Sequence, residues 1–342
     1  MGDLPDYAID KADPFTAVAL DLFGPLWAKG IGGYGRKTFK VWGVLFVCLS
    51  TKAVSIWAAP SYSTRDFLLC YTKHTTIYGE PQIVISDHRT QLVSAGSDIN
   101  WAEIQHLTAP KRTVWQFTPK GCAWRNGMAE RSIAIAKSTL TQVINKHQTL
   151  NFAELETAMV KVAGIMNKRP LTARAYNEDE YIPISPSDLL LGKATNLENR
   201  VITSWQDKET NGPVQLSLKL QNIERVVEDW WKVWQRDAFP LFCPRRKWTV
   251  AQRNLAIGDI VMLQYEQKFG KDRYRLAKVT KIHPDRHQQV RTVTISLRDH
   301  KKANREPPDQ ARTQQVEMVV GVQRLVVILP CHESWKGGLI ET

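Results

Sequence analysis

Two rhythms of apolar residues alternate along this chain, one of period two and one of period 3.6. Residues 15–25 carry the first: Val18, Leu20 and Leu22 point one way, Ala17, Ala19 and Asp21 the other, in a strand expected to stop at Gly24-Pro25. Residues 38–49 and 53–59 give two more strands, joined tightly through Ser50-Thr51-Lys52. The glycine-rich stretch 30–37 lies between two strand patterns, so it reads as a hairpin loop; a phosphate cradle would have a helix after it. Ser63-Thr64 is a helix N-cap pattern, and Gly79-Glu80-Pro81 stops that helix near Tyr78. The short β-branched run 82–87 predicts a central strand buried on both faces. A helix over 98–107 and a strand over 112–118 follow. The turn-rich residues 118–121 then open into a helix over 124–146. Another helix fits 152–168, with Leu155, Met159, Val162, Ala163 and Met166 inward and Arg169-Pro170 ending it.

Further on the pattern thins. Residues 171–191 read as a loop with two proline turns and an acidic patch at 178–180. Residues 215–239 carry Leu220, Ile223, Val227, Trp230, Trp231 and Trp234 at helical spacing. That spacing favours packing in a core or between subunits over a stacking platform for bases. Strand patterns at 260–265, 274–282, 290–297 and 315–329 imply a small five-stranded barrel, with 301–312 a polar insertion in it. The domains expected are a tail (1–14), an α/β core (15–175), a loop and helical connector (176–244), a β-barrel (245–330) and a second tail (331–342).

Composition adds charge. Forty-six Lys and Arg against 34 Asp and Glu give +12, an excess that points to a polyanion such as nucleic acid as partner. Arg245-Arg246-Lys247 is a phosphate-contacting strip by this reading and a solvated linker by the bland one. The five cysteines are scattered, with no C-x-x-C pair, which argues for reduced thiols inside a cell and against a structural zinc site. His283 and His287 have half a zinc-finger spacing with no cysteine pair before them, and read as loop or barrel-surface residues. No cationic and apolar leader opens the chain, and the longest apolar run, 41–49, is too short for a bilayer, so no membrane partner is expected.

Three carboxylates attract chemistry. Asp21 lies in a strand where an unpaired acid is costly. Asp87 lies just past a central strand, where α/β folds place working residues. Glu130 and Lys137 fall on one helix stripe. A surface glutamate at a helix N-terminus accounts for Glu130 alone. The strand and helix order, however, puts all three acids at one end of a mixed sheet, where carboxylates can share two hard divalent cations.

The order and spacing resemble the D,D,E core of retroviral and retrotransposon integrases, in the ribonuclease-H-like superfamily. Asp21-Leu22-Phe23-Gly24-Pro25, the run 43–54, Ile85-Ser86-Asp87, Trp124-Arg125-Asn126-Gly127-Met128-Ala129-Glu130-Arg131, the run 167–172 and the run 186–192 are together similar to integrases of BEL/Pao-type LTR retrotransposons. The similarity spans nearly the whole chain. It implies a ribonuclease-H-like mixed five-stranded sheet flanked by helices, then a helical connector and a Src-homology-3-like barrel that binds DNA. It implies Asp21, Asp87 and Glu130 as ligands of two Mg²⁺ or Mn²⁺ ions, with Asn126, Arg131 and Lys137 on DNA. The reaction implied is 3′-end processing and strand transfer of element DNA into target DNA, by a homo-oligomer in the nucleus or otherwise the cytoplasm. Two departures stand out. His88-Arg89-Thr90-Gln91 replaces a glycine-containing turn, and the upstream His/Cys zinc module of the family is missing. The chain thus reads as a piece of a longer polyprotein or as a domesticated, catalytically inactive DNA-binding or assembly protein. A ribonuclease H acting on RNA–DNA hybrids is a third reading, but it calls for a fourth carboxylate, and none is well placed.

Overall fold

A computed structural model describes residues 13–30, 38–87, 99–118, 127–147, 150–177, 180–192, 214–242, 253–264, 274–286, 288–298 and 315–331. Only the backbone is described at 87, 118, 127–133, 175–177, 180, 214–219, 240–242, 298 and 315. The chain forms two units, Met1–Lys168 with Pro186–Trp234, and Arg169–Ser185 with Gln235–Thr342.

In the first unit β1 (Ala17–Lys29) pairs antiparallel with β2 (Thr38–Cys48), and β2 antiparallel with β3 (Val54–Ala59). On its other side β1 pairs parallel with β4 (Ile83–Asp87), which pairs parallel with β5 (Val114–Thr118). The resulting order is β3-β2-β1-β4-β5, the mixed five-stranded sheet expected. Parallel neighbours need crossovers. Helix α1 (Thr64–Tyr78) supplies one and α2 (Trp101–Thr108) the other. Ser63 caps α1 as its sequence predicts, accepting a 3.2 Å bond from the Asp66 N–H, and Gly79 ends it at φ +88°. Val18, Leu20, Val44 and Phe46 pack against Phe67, Cys70 and Tyr71 of α1 and Ile104 of α2. The alternate positions Ala17, Ala19, Ile83 and Ile85 form a cluster on the other face. Alternation along β1 thus sorts its side chains as the pattern predicts.

The strand does not stop at Gly24-Pro25. Instead β1 carries both through a bulge: Phe23 faces Gly43 and Leu26 faces Val41, so one extra residue sits on β1. Gly24 takes φ +133°, open to glycine and strained for other residues. Across the ladder, a Cβ on Gly43 would lie 2.2 Å from the Phe23 ring, so this glycine makes room for that ring.

Two helices cover the other face, α3 (Gly127–His147) along β1 and α4 (Phe152–Asn167) along β3 and β1. A capping box of Asn151 and Glu154 opens α4, and its inward residues are those read from the sequence. At its end, Asn167 accepts from the Val54 N–H (2.7 Å) and donates to the Val54 carbonyl (2.8 Å), satisfying backbone on the sheet's edge strand.

The loop expected over 171–191 is a hairpin, β6 (Thr172–Asn177) with β7 (Glu180–Ile184), followed by the short helix α5 (Pro186–Leu191). Two prolines masked this strand pair: Pro183 sits in β7, which is an edge strand of a two-stranded sheet and tolerates it. Helix α6 (Val214–Phe242) buries Ile223, Val226, Val227, Trp230, Trp231 and Trp234. The tryptophans stack on one another, with Trp230–Trp234 centroids 5.7 Å and Trp231–Trp234 5.4 Å apart. They are packing residues, as their spacing favours. Salt bridges Lys161–Glu224 and His147–Asp229 (the latter 3.0 Å) tie α6 to α4 and α3.

In the second unit β8 (Ile260–Leu263), β9 (Arg275–Pro284), β10 (Val290–Arg298), β11 (Gln315–Gly321) and β12 (Leu325–Leu329) form an antiparallel sheet of order β11-β10-β9-β8-β12. The strand pattern read over 315–329 is thus two strands joined by a 3-10 turn, Val322–Arg324. The expected barrel has its five strands, but among the described residues no ladder joins β11 to β12, so no closed barrel is formed. Asp259, fully buried at the start of β8, accepts from Arg253 (2.7 Å) and from the N–H groups of Ala256 (2.8 Å) and Cys331 (2.9 Å). Burial alone would raise its pKa; these hydrogen bonds outweigh burial and hold the carboxyl below the usual range. His283 lies in β9 and pairs with the Thr294 hydroxyl at 2.9 Å, a structural role. Residues 301–312 and His287 lie outside the described residues. Among the described residues, no helix is long and apolar enough to cross a membrane.

Candidate functional site

The site is built where β1, β4 and α3 meet. In the parallel ladder Leu20 is level with Ser86, so Asp21 and Asp87 each stand one residue beyond the last paired position. Adjacent strands lie about 4.8 Å apart, which sets the two aspartate backbones a single strand spacing from each other. On its antiparallel side Asp21 is level with Leu45, which puts it on the face covered by α3 and α4.

Helix α3 reaches Asp21 directly. Lys137 Nζ forms an ion pair with Asp21 Oδ2, the side chains being 23% and 40% exposed. Two turns further along, Asn145 accepts from the Trp27 N–H (3.1 Å) and donates to the Pro25 carbonyl (3.4 Å). Pro25 lies in the β1 bulge and Trp27 just past it, so α3 is fastened to β1 at and beside the bulge. Lys29 extends the seam by donating to the Leu150 carbonyl at 2.8 Å. Glu130 stands in the first turn of α3, seven residues before Lys137. At 100° per residue those positions share one helix face about 10 Å apart. A helical side chain leans toward the N-terminus, so the Lys137 ammonium closes part of that separation.

Of the predicted site residues, then, the fold brings Asp21, Asp87, Lys137 and the Glu130 position to one end of the sheet. The side chains of Asp87, Glu130 and Arg131 are not described; Asn126, His88 to Gln91 and Arg245 to Lys247 lie outside the described residues. Among the described residues no group of three His, Cys, Asp or Glu side chains gathers. Of the three carboxylates only the Asp21 side chain is described; its oxygen is of the kind hard divalent ions take, and the Lys137 ammonium sits on it.

One neighbour escaped the sequence reading. Tyr62, in the turn between β3 and α1, has its phenol pKa raised first by burial and then by the Asp21 carboxylate, which places it within electrostatic reach of the site. Its ring sits edge-on to Trp42 at 5.0 Å. Nothing in the Pro60-Ser61-Tyr62-Ser63 turn flags it, because the proximity to Asp21 is created by sheet pairing.

The profile of a family of unknown function, DUF5641, matches residues 218–306. No curated protein matches the sequence. Among solved structures, the HTLV-2 integrase catalytic core domain in complex with magnesium aligns at TM-score 0.34 and 14% identity, over 52% of this chain and 97% of that one. The BIV integrase catalytic core aligns at 0.33 and 14%, over 56% and 99%. The simian T-cell lymphotropic virus intasome in complex with PP2A regulatory subunit B56 gamma aligns at 0.36 and 10%, over 94% and 80%. These are similarities to those proteins; the description of the fold above stands on strand order and register.

Proposed function

We propose that this protein is a divalent-metal-dependent polynucleotidyl transferase, an integrase of the BEL/Pao type its motifs resemble. It trims the 3′ end of element DNA and joins that end to target DNA. The observation that carries the reading is the level placement of Asp21 and Asp87 on parallel neighbours, with Lys137, from the helix that bears Glu130, ion-paired to Asp21.

Asp21, Asp87 and Glu130 would hold two Mg²⁺ or Mn²⁺ ions. Bound there, such ions activate the attacking oxygen and stabilise the leaving one. In strand transfer the 3′-hydroxyl forms a new phosphodiester as the target strand's own 3′ oxygen leaves, so no protein nucleophile is used. Lys137, Arg131 and Asn126 contact phosphate and hold the scissile bond in line. The Arg245-Arg246-Lys247 strip and the second antiparallel sheet, read as Src-homology-3-like, add salt-sensitive and sequence-independent binding. The +12 charge supports a DNA partner. A homo-oligomer acting in the nucleus completes the reading.

A strand-transfer assay with and without Mg²⁺, on wild type and Asp87→Asn, tests it. Joined product from wild type alone, and only with divalent ion, is expected. Intact DNA binding without any joining in wild type would favour the domesticated assembly protein. Cleavage of an RNA–DNA hybrid in preference to duplex DNA would favour a ribonuclease H.

A further inference from the structure

We infer that Lys137 is the built-in counter-ion of Asp21, displaced onto a DNA phosphate when a divalent ion binds that carboxylate. The inference rests on the metal-dependent reading above and deepens it by coupling the two ligands. Among the described residues Asp21 has Lys137 as its ion-pair partner and no other. The pair is only partly buried, so water and ions reach it. An ammonium and a divalent cation cannot share the same carboxylate oxygen without strong repulsion, since both are positive and would lie within a few ångströms. One must leave, and the doubly charged ion, held by further carboxylates, wins the contest.

What leaves is a flexible four-carbon stem on a fixed helix. Asn145 holds α3 along β1, so release moves the ammonium and leaves the helix where it is. A freed lysine head is a strongly hydrated point charge suited to phosphate. Loading the ion therefore creates one DNA contact that the ion-free protein lacks. By linkage, DNA must tighten ion binding by the same factor. Asp21 is thus neutralised in both states, by lysine before loading and by metal after it.

Calorimetric titration of the full chain with Mn²⁺ tests this on wild type, Lys137→Met, Lys137→Arg and Asp21→Asn. Lys137→Met is expected to bind Mn²⁺ roughly three- to tenfold more tightly, the size of a partly exposed ion pair plus relieved repulsion. Lys137→Arg keeps the charge and the wild-type affinity. Asp21→Asn loses the binding. The salt slope for a linear duplex is expected to fall by about 0.9 in Lys137→Met with Mn²⁺ present and to match wild type in EDTA. Unchanged or weaker Mn²⁺ binding by Lys137→Met, with the Asp21 dependence intact, overturns the exchange and leaves the metal site standing. Absence of Asp21-dependent binding in wild type and Lys137→Met alike overturns both.

Discussion

Asp21, within β1, and Asp259, just before β8, are both paired with a basic side chain, and they are built to opposite ends. Asp259 is fully buried, and one guanidinium and two backbone N–H groups donate to its oxygens. Asp21 is 40% exposed and carries a single lysine. A buried carboxylate held by three protein donors is out of a ligand's reach, and those donors account for its burial. A half-open carboxylate with one exchangeable partner, level with a second acid on the next strand, is unexplained by stability. The proposed function asks for such a carboxylate at this place.

Substitutions at the two sites should therefore diverge. Asp21→Asn is expected to lower strand transfer on the order of 10³-fold, as losing a transition-state electrostatic group does, while changing stability by less than about 1 kcal/mol. Joining rates and denaturant midpoints on the same preparation check both halves. At the other site, Asp259→Ala leaves Arg253 and two N–H groups without their acceptor and should cost the second unit about 3 kcal/mol. A midpoint unchanged by that substitution would erase the contrast.

A third ionisable group sharpens the comparison from inside the core. His74 is stacked on Phe46 at 4.1 Å and bonded to Ser55 at 3.2 Å, and burial pushes its pKa down to about 3 from 6.5. The unfolded chain takes up a proton between those values and the folded chain does not. Stability is full above pH 6.5 and falls as pH drops toward 3, by about 1.4 kcal/mol per unit. Going from pH 7 to 5 should thus cost about 2 kcal/mol from this residue, and His74→Phe should remove that slope in denaturant titrations. The smallest effect belongs to Lys161–Glu224, an exposed pair: Lys161→Ala should move stability by no more than about 0.5 kcal/mol.

Much of this was legible in the sequence for local reasons. The alternation around Asp21, the Ser63 cap, the β-branched strand before Asp87 and the tryptophan stripe all depend on near neighbours, and each element formed where its pattern lies. What stayed hidden is long-range. Gly24-Pro25 reads as a stop, yet the partner strand and Asn145, 120 residues away, absorb it as a bulge. Pro183 hid a strand because only the pairing reveals that its side of the ladder is an edge. Tyr62 comes near Asp21 through register, which no local signal encodes. The carboxylate order was legible; the lysine on Asp21 came only with the packing of α3.

Anomalous diffraction from crystals soaked in Mn²⁺ tests the central claim most directly. The account predicts a peak between strands β1 and β4, about 2 Å from oxygens of Asp21 and Asp87, with Glu130 completing the coordination and Lys137 turned away. Mn²⁺ found elsewhere, with Lys137 still on Asp21, would contradict it.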